Sequence, residues 1–117
     1  MKRIGIILGL IICLVLVVGS SKGNKEMKDE LDTILEKDNY IVVDVRTNEE
    51  YNTSHVVGSI NIPYDEIDEN TNLDKTKDIL VYCKSGVRSK KAYDTLKSLG
   101  YDVYDLGAYN TIKLDKE

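Results

Sequence analysis

Two short runs of aliphatic and β-branched residues constrain most strongly what this chain can fold into. They cover residues 40–45 (YIVVDV) and 78–82 (DILVY), and residues with helical spacing precede or follow them. Runs of this length, apolar at consecutive positions, are typical of strands that are buried on both faces of a parallel sheet. Strands that alternate with helices predict an α/β domain, with a parallel β-sheet flanked by helices on both faces.

Capping and spacing signals predict the other elements. Met27, Leu31 and Leu35 recur with helical spacing, and Thr47 with Glu50 has the pattern of a capping box. Gly100 is suited to the position just after a helix. We expect helices over 25–37, after Thr47 and up to Leu99, strands over 59–62 and 101–106, and a short helical turn after residue 63.

The first twenty-one residues differ in composition from the rest of the chain. Lys2 and Arg3 precede an uncharged run, residues 4–21, that ends in small residues. This order is typical of a secretion signal, and the run also approaches the length of a membrane-spanning helix. The expected organisation is a signal peptide or membrane anchor at 1–21, a linker at 22–25 and one domain at 26–117.

The basic start also predicts where the domain resides. Under the positive-inside rule the basic end of such a segment stays in the cytoplasm. We expect an exported domain, secreted or on the extracytoplasmic face of a bacterial cell membrane, with membrane contact through residues 4–21 if they are uncleaved. Lipidation at Cys13 is a further alternative, although Ile12 departs from the small residue that usually precedes a lipidated cysteine.

Charge and cysteine usage exclude several classes of function. Lys2 and Arg3 carry +2 of a formal net charge of −4, so the part after Ser21 carries −6. An acidic domain gains nothing from counterion release, so we expect no nucleic-acid partner. Cys83 is the one cysteine of the domain, and His55 is the one histidine. This set is too small for a structural zinc site, so we expect no metal, and the sequence implies no organic cofactor.

The stretch 81–89 (VYCKSGVRS) carries the chemistry that the sequence predicts. A buried strand ends at its start and a helix begins at its end. Ligands of open parallel sheets bind beyond the carboxyl ends of the strands, and the N-terminus of a helix attracts anions. Gly86 permits a tight turn, and Arg88 adds a positive charge. A thiol at Cys83 is therefore expected to ionise readily and to act as a nucleophile.

Three motifs in this order resemble those of the rhodanese family. The loop CKSGVRS at 83–89 resembles the family's active-site loop, a cysteine followed by four residues and an arginine. Residues 44–46 (DVR) resemble its D-V-R motif, and residues 55–63 (HVVGSINIP) resemble its H-I-x-G-A-x-N-I-P motif. The resemblance covers about residues 38–107 and implies the parallel α/β fold of that family.

The resemblance also implies a sulfurtransferase that forms a persulfide on its cysteine. A small sulfur donor such as thiosulfate would supply the sulfur, and a thiol or other thiophilic acceptor, either a small molecule or an acceptor protein, would receive it. By this resemblance Cys83 is the nucleophile. The anion-binding residues are Lys84, Ser85, Gly86, Val87 and Arg88, and the supporting residues are Asp44 and Arg46.

Some features depart from the family pattern or admit other interpretations. Residues 106–110 (LGAYN) keep one of the two glycines that often follow the last strand, and the chain lacks tryptophan, so the C-terminal helix is in question. A non-catalytic binding or thiol-sensing module is the main alternative. Cysteine phosphatases have five residues between cysteine and arginine, against four here, so phosphatase activity fits less well. His55 is expected to be structural.

Overall fold

The computed structural model describes residues 23–117. The predicted signal peptide or anchor and the alternative of lipidation at Cys13 lie outside the described residues. Within the described part of the chain, no helix combines the length and apolar character needed to cross a bilayer. The chain divides into two units, one up to Lys37 and one from Asp38 onward.

The helices and strands alternate along the chain, as the sequence predicts. Helix α1 begins within the segment predicted to be a linker, and two short 3-10 turns occur at Tyr64–Glu66 and Tyr109–Thr111. The elements in order are α1 (Gly23–Lys37), β1 (Tyr40–Asp44), α2 (Asn48–Thr53), β2 (Ile60–Asn61), β3 (Asp78–Cys83), α3 (Val87–Ser98) and β4 (Asp102–Ala108).

The four strands form one parallel sheet in the order β2-β1-β3-β4. From β1 the chain moves outward to β2, and it then returns past β1 to form β3 on the other side. The strand order thus reverses between β1 and β3, where Asp44 pairs with Tyr82. Ligands bind at such a reversal, beyond the carboxyl ends of the strands. The topology therefore predicts a binding site at the residues just after Asp44 and Tyr82.

One face of the sheet packs against helix α3. Val43, Val81 and Cys83 point to this face at alternating positions, and Ala92 and Leu96 of α3 cover them. All five side chains are fully buried. Burial of a leucine such as Leu96 contributes about 2 kcal/mol relative to exposure. The packing fixes the end of β3 and the start of α3 against each other, which holds the connecting loop in place.

The opposite face is covered by the segment that follows α2. Tyr82 points to this face, and its hydroxyl accepts a hydrogen bond from the Val56 N–H at 3.0 Å. Burial raises the pKa of Tyr82 to about 12, so the phenol stays neutral. The connection from β1 leads to β2 on one side of the sheet, and the connection from β3 leads to β4 on the other side. Because crossovers between parallel strands are right-handed, these two connections lie on opposite faces of the sheet. The predicted parallel α/β fold is confirmed.

Helix α3 ends where the sequence predicts. The described chain after β4 lacks the C-terminal helix that the family pattern often has. Gly100 has φ +97°, and the N–H groups of Gly100 and Tyr101 donate to the carbonyls of Lys97 and Leu96, a Schellman motif. After β4, the described chain has one 3-10 turn and no α-helix. Its last residues pair with 55–57 instead, through two hydrogen bonds between His55 and Glu117 backbone groups at 2.8 Å.

Candidate active site

Cys83 is the last residue of β3, and its side chain is fully buried. The N–H groups of Gly86 and Ser89 donate hydrogen bonds to its sulfur at 2.9 Å and 3.3 Å. The N–H groups of Val87 and Arg88 lie in the first turn of α3, where no earlier turn of the helix accepts them. The loop therefore wraps the cysteine sulfur with backbone donors, an arrangement suited to hold negative charge.

Gly86 gives this loop its backbone shape. It caps α3 in the left-handed region, with φ +100° and ψ −10°. A Cβ atom at this position would meet no other atom within 4 Å. Glycine is therefore required by the backbone conformation and not by lack of space.

The surroundings of Cys83 favour its charged form. Burial raises the pKa of the Cys83 thiol. Hydrogen bonds lower this pKa by more than burial raises it, and they come from the N–H and the side chain of Ser89 and from the N–H groups of Gly86 and Ser85. The net effect is a pKa below that of an ordinary cysteine. Since the thiolate is the nucleophilic form, the loop increases the reactive fraction of Cys83 at neutral pH.

Arg88 is bound to a carboxylate. Its two terminal nitrogens donate to the two oxygens of Glu50, at 2.9 Å and 3.3 Å. The resemblance implies that Arg88 steadies the loop and attracts an anion. This geometry serves the first role, because both arms of the guanidinium are occupied by Glu50 in a bidentate pair.

Glu50 belongs to the predicted capping box of α2. Its carboxylate accepts hydrogen bonds from the Thr47 N–H and hydroxyl, and the Thr47 hydroxyl accepts the Glu50 N–H. The hydrogen bond from Arg88 is the largest cause that lowers the pKa of Glu50, which falls to about 2. Glu50 therefore stays ionised at neutral pH and joins α2 to the active-site loop.

Asp44 and Arg46 form a buried ion pair beside this loop. The Arg46 guanidinium donates to both oxygens of Asp44 and, at 2.7 Å, to the Ser54 carbonyl. It also lies over the Tyr109 ring, 4.5 Å from the centroid. Neither residue hydrogen-bonds with residues 84–88. The pair therefore braces the end of β1 against the segment after α2.

An open cleft of about 210 Å³ lies at the same edge of the sheet. Lys84 lines it, next in sequence to Cys83, and within the described residues Lys84 has no ion-pair partner. An exposed cation at the rim of a small open cleft suits an anionic ligand. The other lining residues are Arg46, Glu50, Thr53, Ser54, Tyr109 and Asn110.

Two further predicted loop residues and the histidine occupy different environments. Ser85 is exposed on the loop, and Val87, the first residue of α3, is 63% exposed. His55 stacks on Tyr51 with ring centroids 3.9 Å apart, and its Nε2 lies 3.3 Å from a Glu117 carboxylate oxygen. These contacts fit the structural role expected of His55. Over residues 29–117, no cluster of His, Cys, Asp and Glu side chains forms a metal site.

Two residues of the site are not identifiable as site residues from the sequence. Ser89 is fully buried and contacts the sulfur of Cys83, but only its place one residue after Arg88 hints at this. Glu50 is predicted as a helix cap, and its ion pair with Arg88 spans 38 residues of sequence. Such a pairing becomes visible only when the two strands that precede these residues are placed side by side.

Comparison with known proteins connects this geometry to one family. The sequence model of the rhodanese-like domain matches residues 27–113. Thiosulfate sulfurtransferase PspE of Escherichia coli (strain K12) is 37% identical over 78 residues, which are 63% of this chain and 75% of that protein. The putative sulfur carrier protein YrkF of Bacillus subtilis (strain 168) is 38% identical over 61 residues, but this chain covers only 33% of its length.

Solved structures agree with the sequence relatives. A structure described as rhodanese with anions from E. coli has a TM-score of 0.61 and 34% identity, and the match covers 67% of this chain and 96% of that one. The BH2092 protein of Bacillus halodurans has a TM-score of 0.62 and 30% identity, with 76% and 72% of the two chains covered. With a family model that spans most of the chain and a shared fold, this protein belongs to the rhodanese-like domain family.

Proposed function

We propose that the chain is a sulfurtransferase that carries a sulfane sulfur on Cys83. The observation that supports this most directly is the buried Cys83 sulfur, which accepts hydrogen bonds from the N–H groups of Gly86 and Ser89. This sulfur lies where the strand order of the sheet reverses. The loop stabilises one negative charge close to the sulfur. Both the thiolate and a persulfide, Cys–S–S⁻, carry such a charge.

The proposed reaction has two balanced steps. The Cys83 thiolate attacks the outer sulfur of thiosulfate, the S–S bond of thiosulfate breaks, and sulfite leaves with the bonding electron pair. An acceptor nucleophile such as cyanide or a thiolate then attacks the outer sulfur of the persulfide. The bond between the two sulfurs breaks, and its electron pair returns to Cys83 as the thiolate. No external oxidant or reductant is needed.

The surrounding charges suit an anionic donor. Among the described residues Lys84 has no ion-pair partner and lines the open cleft, whereas Arg88 is neutralised by Glu50. We infer that Lys84 provides the charge that draws thiosulfate to the cleft and that Arg88 holds the loop. The acceptor is a thiol or another thiophilic group, on a small molecule or on a protein. The kinship with a putative sulfur carrier protein supports an acceptor of the protein class.

We also propose an extracytoplasmic location, on the sequence of residues 1–21 alone. Their basic and apolar pattern is that of an export signal or an anchor. Fractionation of cells that produce the full chain would test this proposal. Recovery in the extracytoplasmic or membrane fraction supports it, and recovery with cytoplasmic enzymes contradicts it.

A turnover assay tests the proposed activity. The full chain is incubated with thiosulfate and cyanide, and thiocyanate is measured with time. We expect formation of thiocyanate that depends on enzyme concentration and disappears in Cys83→Ser. Absence of thiocyanate from a folded chain with reduced Cys83, together with stable oxidation of Cys83 by peroxide, would instead favour the thiol-sensing alternative.

A further inference from the structure

Ser89 has a hydroxyl whose role the proposed mechanism leaves open. The residue is fully buried in the first turn of α3. Its N–H donates to the Cys83 sulfur at 3.3 Å, and its hydroxyl donates to the Gly86 carbonyl at 3.2 Å. Because the Gly86 N–H donates to the same sulfur, the three residues form a closed ring of hydrogen bonds.

The single proton of this hydroxyl has two acceptors within reach. One is the Gly86 carbonyl, to which it donates at 3.2 Å. The other is the Cys83 sulfur, against which the Ser89 N–H holds this residue at 3.3 Å, and a hydrogen bond from the Ser89 side chain is among the causes that lower the pKa of the thiol. The Gly86 carbonyl also accepts the Lys90 N–H at 3.2 Å. It therefore keeps a partner when the hydroxyl turns away, so rotation leaves no buried carbonyl unsatisfied.

We propose that the Ser89 hydroxyl donates to the Cys83 sulfur when that sulfur is charged and to the Gly86 carbonyl when it is neutral. This inference rests on the proposed sulfur transfer. In the free thiolate the charge lies on the Cys83 sulfur itself. In the persulfide the charge lies on the outer sulfur, and the Cys83 sulfur is neutral. The hydroxyl thus stabilises the attacking thiolate in the first step and the departing thiolate in the second.

The two steps respond differently to loss of this hydroxyl. A thiolate with a higher pKa is scarcer at low pH, but once it is fully formed it is a somewhat stronger nucleophile. The same thiolate is a poorer leaving group at every pH. Ser89→Ala should therefore slow the first step only at low pH and slow the second step throughout.

The other charges near Cys83 are unchanged by this substitution. Arg88, on the same helix, is a cation that interacts electrostatically with Cys83, and Glu50 of α2 neutralises it. Asp44 and Arg46 at the end of β1 form an ion pair with each other, and Lys84 is exposed on the loop. A shift in Ser89→Ala is thus attributable to the hydroxyl.

Helix α3 contains a matched control. The Ser98 hydroxyl also donates to the carbonyl three residues earlier, that of Thr95, but it is exposed in the last turn. Ser98→Ala removes the same kind of local hydrogen bond without touching the cysteine. Both variants place alanine, the best helix former, in a helix, so both should fold.

The experiment measures three quantities in the full chain from pH 5 to pH 10. The first is the alkylation rate of Cys83 by iodoacetamide, followed on its peptide so that Cys13 does not interfere. The second is the rate of persulfide formation from thiosulfate, and the third is the rate of persulfide decay with cyanide. The alkylation profile reports ionisation of Cys83 independently of any sulfur transfer.

We expect the alkylation profile of Ser89→Ala to move to higher pH, with persulfide formation about tenfold slower on the acidic side, as for one lost hydrogen bond to a charged group. On the alkaline side formation should equal or exceed wild type, while decay is slower at all pH values. Ser98→Ala should match wild type. An unmoved alkylation profile, or equal slowing of both steps at every pH, would overturn the proposal. If wild type forms no persulfide, the proposed function fails, and the alkylation profile still tests the hydroxyl.

Discussion

The carboxylate of Glu50 accepts both arms of the Arg88 guanidinium, at 2.9 Å and 3.3 Å, and the same carboxylate closes the capping box with Thr47. One side chain thus connects the start of α2, which follows β1, to the start of α3, which follows β3. The loop around Cys83 lies between α3 and the strand that precedes it. The ion pair therefore holds the loop from its far end.

The Glu50–Arg88 pair should stabilise the fold in a defined range of pH. The pKa of Glu50 is about 2 in the folded chain, against an ordinary value of 4.5. A carboxyl group with a lowered pKa adds stability above its unfolded pKa and loses it as the pH falls through the folded pKa. Glu50→Gln should reduce the free energy of unfolding by about 1 kcal/mol at pH 7, with the difference shrinking between pH 4.5 and pH 2.

Urea denaturation at several pH values measures this effect. Glu49→Gln is the matched control, since Glu49 is the exposed neighbour on the same helix and its carboxylate has no part in the Arg88 pair. Glutamine at position 50 can still accept the Thr47 N–H, so the comparison isolates the charge. A constant difference between wild type and Glu50→Gln from pH 7 to pH 2 would argue against the ion pair.

The planar fork of Arg88 should matter beyond its charge. Lysine offers a single ammonium group and cannot bind both oxygens of Glu50 in a fixed plane. Arg88→Lys should slow persulfide formation about tenfold, since one hydrogen bond between charged groups is lost from the loop. Reactions with thiosulfate that are quenched at successive times and analysed by mass spectrometry give the rate of persulfide formation. Lys90→Ala, which removes an exposed pair with Asp94, should leave the rate unchanged; equal effects of both variants would contradict the role of Arg88.

Gly86→Ala should separate backbone strain from steric conflict. The added Cβ meets no atom, but φ +100° is unfavourable for alanine, and we expect a loss of about 1–2 kcal/mol in stability together with impaired sulfur transfer. Gly58 also has a positive φ, +82°, and open space around it. Gly58→Ala should thus lose similar stability in urea denaturation and keep its sulfur transfer. Full activity in Gly86→Ala would show that the loop tolerates another backbone shape.

The buried pair of Asp44 and Arg46 should dominate stability at the end of β1. Asp44→Asn leaves the Arg46 charge buried at 5% exposure without its carboxylate. Breaking a buried pair in this way costs about 3 kcal/mol or more. Thermal or urea denaturation measures the loss. Asp94→Asn, which breaks the exposed pair with Lys90, should cost no more than about 0.5 kcal/mol. Similar losses in both variants would contradict the importance of burial.

The sequence predicts the framework of the fold because its signals are local. The runs at 40–45 and 78–82 become β1 and β3, since their β-branched residues fill both faces of the sheet. Gly100 ends α3 in the predicted position. In contrast, β2 has two residues and β4 extends to Ala108 past an irregularity in its pairing with β3, and neither length is encoded by a local pattern.

The residues of the candidate site also differ in whether a local sequence pattern predicts them. Cys83 and Gly86 are recognisable because a strand, a turn and a helix follow one another within nine residues. Glu50 and Ser89 are not, because their roles depend on packing between β1 and β3 and on the first turn of α3. The pairing of residues 115–117 with 55–57 joins segments about sixty residues apart, and no short pattern signals it.

Mass spectrometry of the full chain tests the central claim most directly. The protein is reduced, treated with thiosulfate and compared with an untreated sample, both as the intact chain and as peptides. We predict a gain of one sulfur atom on the Cys83 peptide, removed by cyanide or dithiothreitol and absent in Cys83→Ser, whose fold is retained. No gain at Cys83 in a folded, reduced protein, or the same gain in Cys83→Ser, would contradict sulfur transfer through this cysteine.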